Sequence, residues 1–120
     1  MTPIDLGIDP KKIADFCQKW KISILSAFGS IVRGELQPES DIDLLVTFSE
    51  NADWTMFDHF NMEEELTHIL GHEVDLVNIK ALEENQNPIY KQEILSSARQ
   101  IYAAESVLIS LNGLEKKKNT

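Results

Sequence analysis

Residues 41–48 read Asp-Ile-Asp-Leu-Leu-Val-Thr-Phe, and their alternation limits the possible folds of this chain more than any other feature. Successive side chains of a strand point to opposite faces. Ile42, Leu44, Val46 and Phe48 therefore share one face, while Asp41, Asp43 and Leu45 share the other. A lone strand is not stable in water, so this segment requires a sheet and an apolar layer over its first face. Three more segments supply the sheet. ISILSAF (residues 22–28) precedes it, and Gly29-Ser30 breaks that strand. HEVDLVNI (residues 72–79) follows, with Val74 and Leu76 on one face and Glu73, Asp75 and Val77 on the other. RQIYAA (residues 99–104) is expected as a fourth strand.

Helical periods fill the spaces between. Asp9-Pro10 combines a capping side chain with proline at the first helical position. Ile13, Phe16, Cys17 and Trp20 then recur at i, i+3, i+4 and i+7, the stripe of an amphipathic helix. SIVRGE fits a helical turn ending at Gly34, and LQPES is a loop. Residues 53–70 form a longer helix with Met62, Leu66, Ile69 and Leu70 as its apolar stripe, extended by Trp54 and Phe57, and Gly71 is placed to stop it. Asn87-Pro88 starts a further helix through about Ala98. The expected fold is α+β, a mixed sheet of about four strands with helices on one face. Residues 1–105 form the single domain. Residues 106–120 are a tail that extends a strand, forms a short helix or frays, and its Lys116-Lys117-Lys118 run is a solvated end.

Composition narrows the function. The 120 residues carry a formal net charge of −9, which disfavours nonspecific nucleic-acid binding because that needs Lys and Arg to neutralise phosphates. The same balance suits metal-bridged phosphate chemistry or a basic protein partner. The N-terminus has neither the basic start nor the apolar run of a secretory signal, and no apolar segment approaches a membrane span, so a soluble cytoplasmic protein is expected. The single cysteine, Cys17, has no internal disulfide partner and lies on an apolar stripe with no activating charge, which makes it a buried structural thiol. His59, His68 and His72 do not form a metal set, because Gly71 ends the helix between the last two. Trp54, Phe57 and Phe60 read as core or partner-surface residues rather than a base-stacking platform.

The carboxylates carry the chemistry. Asp41 and Asp43 sit on one strand face with backbones roughly 6–7 Å apart, near enough for their side chains to converge on one ion. Few oxygen ligands with room left over suit Mg²⁺, which binds through one or two carboxylates plus substrate phosphates. Asp75, on the matching face of another strand, offers a third carboxylate for a two-metal site of the kind that stabilises both oxygens of an in-line phosphoryl displacement. Gly29-Ser30, ahead of a helical turn, presents N–H groups and a hydroxyl to phosphates. An acidic pair at a strand mouth is also a common solvated feature, and the pair alone does not separate the two readings.

The combined spacing does more. Gly29-Ser30, ten residues, then Asp41-x-Asp43, with Arg33-Gly34 inside, resembles the minimal nucleotidyltransferase (MNT) family of the DNA polymerase beta-like superfamily, over about Ile8 to Tyr102. Where that family commonly has Gly-Ser-x-Ala-Arg-Gly, this chain has Val32 in place of alanine. The resemblance implies a nucleotidyltransferase fold in which Gly29 and Ser30 hold a nucleoside triphosphate. Asp41, Asp43 and Asp75 would bind two Mg²⁺ ions, and Asp75 would also activate the attacking hydroxyl. Arg33 would support the phosphates or the loop, a salt bridge to Glu35 or Glu39 being its alternative, and Ser40 would add a phosphate contact or serve as a turn or cap residue. Short members of the family pair with HEPN-domain ribonucleases in type VII toxin–antitoxin systems. The implied function is therefore an antitoxin that transfers AMP from ATP to a tyrosine of a HEPN toxin. A binding-only antitoxin, or a nucleotidyltransferase for a small molecule or an RNA end, are the alternatives.

Overall fold

The structure, a computed structural model, describes residues 9–29, 32, 34 and 41–104. The expected loop at 36–40, most of the turn over 30–34 and the tail 106–120 lie outside the described residues. So do Ser30, Arg33 and Ser40.

Helix α1 (Pro10–Lys19) begins where expected, with Asp9 capping the Lys11 N–H at 2.9 Å. It leads into β1 (Ile22–Phe28) and then β2 (Ile42–Phe48). Helix α2 (Met56–Leu70) starts three residues later than the sequence reading. There Thr55 and Asp58 form a capping box, each side chain accepting the other's backbone N–H. Gly71 closes α2 in the left-handed conformation at φ 72°, where a Cβ is disfavoured. After β3 (Val74–Asn78) comes a five-residue helix, α3 (Ile79–Glu83), then α4 (Pro88–Ser97) and β4 (Arg99–Ala103).

The four strands form one sheet in the order β3-β2-β1-β4. β1 runs antiparallel to both neighbours, and β2 and β3 are parallel. The parallel pair follows from the connection, since α2 carries the chain back so that β3 starts at the same end as β2.

Alternation along β2 divides the core in two. Ile42, Leu44 and Val46 face the larger cluster with α1 (Ile13, Phe16, Cys17, Trp20) and α2 (Met62, Leu66). Leu45 faces the smaller cluster with Phe28, Leu82 of α3 and Ile94 of α4. The helices therefore cover both faces, not one, because Leu45 and Val77 give the second face an apolar half that needs its own cover. Trp20 and Trp54 meet edge to face at 5.1 Å, and the Trp54 indole donates to the Trp20 carbonyl, so Trp54 joins the larger core as expected. Phe57 does not. It is 81% exposed, on the side of α2 away from the sheet. Cys17 is fully buried, and that burial pushes its thiol up to about 12.

Candidate functional site

The carboxylates gather at the end of the sheet where β2 and β3 begin. In the parallel ladder Asp43 pairs with Asp75, between the pairs Ile42–Val74 and Leu44–Leu76. In-register residues of neighbouring strands project from the same face at roughly 5 Å. Asp41, two positions before Asp43, belongs to that face by alternation. It stands just ahead of the strand and is exposed, as is Asp75, while Asp43 is half-buried. Among the described residues no three His, Cys, Asp or Glu side chains converge closely enough to hold one ion. What unites Asp41, Asp43 and Asp75 is the backbone register. An all-oxygen donor set with side-chain freedom fits Mg²⁺, which retains waters and shares its shell with phosphates.

The third wall of this corner is Gly29. Phe28 ends β1 opposite Asp43, and Gly29 follows with φ at 77°. A Cβ at Gly29 would lie 2.6 Å from Asp43 Oδ2. Only glycine lets the backbone turn in this conformation directly against that carboxylate. The Val32 N–H then donates to the Gly29 carbonyl at 3.1 Å, closing a tight turn, and the Val32 side chain packs against the larger core. Turn and carboxylates, distant in sequence, are thus adjacent in space.

Two residues that the sequence reading does not select hold β3 in place. Among the described residues β3 is an edge strand, so its outer N–H and C=O groups need partners. Glu63 Oε2 accepts from the Leu76 N–H at 2.8 Å, and His59 Nε2 donates to the Leu76 carbonyl at 2.8 Å. Both side chains come from α2, one turn apart, and Leu76 directly follows Asp75. Their spacing of i, i+4 is the available signal, but it does not say what they face. A cleft of about 240 Å³ opens at the opposite end of the sheet beside Phe48, Trp54, His59 and Lys80, and none of the three aspartates lines it. No helix among the described residues is long and apolar enough to cross a membrane.

Comparison with known proteins places this arrangement. The family profile described as polymerase beta nucleotidyltransferase matches residues 11–106. A protein of Methanocaldococcus jannaschii, provisionally described as a protein adenylyltransferase, is 40% identical over 76 residues, which is 63% of this chain and 73% of that one. Among solved structures, a toxin–antitoxin with AMP-PNP superposes with a TM-score of 0.61 at 20% identity, over 93% of this chain and 89% of the other. A complex of tri-AMPylated Shewanella oneidensis HEPN toxin with MNT antitoxin gives 0.53 at 18% identity, over 92% and 84%. At these identities the two structures speak to the fold alone.

Proposed function

The chain belongs to the polymerase beta nucleotidyltransferase family, and on that premise we propose that it is the antitoxin of a HEPN/MNT pair, a Mg²⁺-dependent protein adenylyltransferase that moves AMP from ATP to a tyrosine of a HEPN ribonuclease. Enzymatic nucleotidyl transfer comes with the family. The protein acceptor follows the M. jannaschii relative's description, and the toxin partner follows the solved complexes. The observation that carries the reading to this chain is the Asp43–Asp75 register with the Gly29 turn against Asp43.

In this reading Asp41, Asp43 and Asp75 hold Mg²⁺, which supplies charge neutralisation at the phosphates and a more acidic acceptor hydroxyl. The triphosphate is assigned to the Gly29-Ser30 segment, with Arg33 and Ser40 as further phosphate contacts. The tyrosine oxygen attacks the α-phosphorus and its proton passes to the Asp75 carboxylate. The new O–P bond forms as the bond to the bridging oxygen breaks, and pyrophosphate leaves. The half-buried position of Asp43 and the exposed one of Asp75 suit this division, since the proton acceptor must meet an incoming partner.

The test is transfer of label from α-labelled ATP to the HEPN protein. Asp41→Ala with Asp43→Ala should reduce labelling by roughly a thousandfold or more. Undiminished label in the double variant sinks the catalytic assignment. If the wild-type chain neutralises the toxin without any label on it, the antitoxin acts by occlusion.

A further inference from the structure

Three large apolar side chains stand in solvent at the start of α2: Met56 is 74% exposed, Phe57 81% and Phe60 59%. At 100° per residue they occupy one arc of the helix, and the buried Met62 and Leu66 occupy the opposite one. Scattered exposed hydrophobes are ordinary, but a contiguous cluster of this size marks an interaction site. The cluster is not a frayed end. The Thr55–Asp58 capping box fixes the first turn, so the patch is held ready in one conformation, which lowers the ordering cost of binding.

The surrounding charge selects the occupant. The chain carries a formal net charge of −9, and Asp53 and Glu64 are exposed beside the patch, with Lys21 and Lys80 on its Trp54 side. Along α2 the exposed arc continues from Phe57 and Phe60 to Glu64, one turn further on. A second copy of this chain seated on the patch would bring together two chains of strongly negative net charge, which disfavours that pairing. We propose that Met56, Phe57 and Phe60 form the docking surface for a different protein, one whose face is apolar at its centre and rimmed by Lys and Arg. This rests on the antitoxin reading above and says how the toxin is held. The patch stands at the end of the sheet where β2 finishes and the carboxylates stand where it begins, so docking and transfer occupy separate places.

The experiment uses the full chain and the HEPN-domain protein proposed above. Binding is measured by calorimetry for the wild type and for Phe57→Glu with Phe60→Glu, with circular dichroism as the control for folding. The double variant should weaken association about 100-fold, as loss of a central aromatic anchor does. It should also raise KM for the HEPN protein while leaving ATP binding unchanged. Phe57→Ser with Phe60→Ser, which adds no charge, should weaken binding in the same direction. Hydrogen exchange at residues 56–60 should slow in the complex. Wild-type binding that the double variant leaves intact overturns the docking surface and spares the antitoxin reading. Absence of any wild-type binding overturns both. A wild-type dimer that the same substitutions dissociate also overturns it, in favour of self-association.

Discussion

Replacing Gly29 by alanine sets a methyl carbon 2.6 Å from Asp43 Oδ2 in a backbone conformation at φ 77° that L-residues avoid. The conformation alone costs about 1–2 kcal/mol, and the contact forces either the carboxylate or the turn to move. Gly29→Ala should lower unfolding free energy in urea by about 1–3 kcal/mol. Nucleotidyl transfer should fall much further, because Asp43 is the group displaced. Cys17 gives a prediction of the opposite kind. Its thiol titrates near 12 when folded, against 9.0 for an unperturbed one. Between those values the unfolded chain loses the proton and the folded chain keeps it, so stability falls as pH rises through that window. The slope should approach about 1.4 kcal/mol per pH unit, and Cys17→Ala should flatten it in thermal melts taken from pH 8 to 11. Tyr102 is raised as well, by its own burial and then by Cys17, so a shallower slope should persist in that variant.

The edge of β3 is where one element depends on another. Glu63→Ala leaves the Leu76 N–H without its carboxylate partner, and a half-buried amide so exposed costs about 1–3 kcal/mol. Faster hydrogen exchange at Leu76 and a tendency to self-associate through the opened edge are the expected readouts. The elements differ in how far the amino-acid pattern reveals them. Period-two alternation is enough for β2 and β3 with their faces, and it puts Asp41, Asp43 and Asp75 on one side without any tertiary information. Helix α3 escapes a reading of the pattern because five residues hold too few periods to stand out from a loop. Helix α2 is legible as a helix, but its outward side is not, and Phe57 falls on the wrong one. Apolar residues lie on both its arcs, so periodicity does not say which one meets the sheet. The helices' placement on both sheet faces is hidden for a related reason: alternation puts Leu45 on the aspartate face but does not say what covers it. Gly29 is legible as the break that ends β1, whereas its approach to Asp43 is tertiary and has no local signature.

For the whole molecule, charge is sorted along the chain: every Lys and Arg lies before Glu35 or after Ile79. The net charge of −9 steers a basic partner, and salt screens steering more than it screens close contacts. Raising ionic strength from about 0.05 M to about 0.5 M should therefore slow association with the proposed HEPN partner by an order of magnitude or more. Dissociation should change less, as stopped-flow measurement would show. The sheet's connectivity has a consequence in time as well. Phe28 and Asp43, paired between β1 and β2, are near neighbours in sequence, but Ala27 and Arg99, paired between β1 and β4, are about 72 positions apart. Closing the longer loop costs about 1.4 kcal/mol more in chain entropy. The β1–β4 seam is thus the slow one to form, and on the ribosome it cannot form until the chain through Ala103 has left the exit tunnel. During synthesis β1 keeps one edge unpaired until then, so the newborn chain passes through a sticky interval that ends only when β4 arrives.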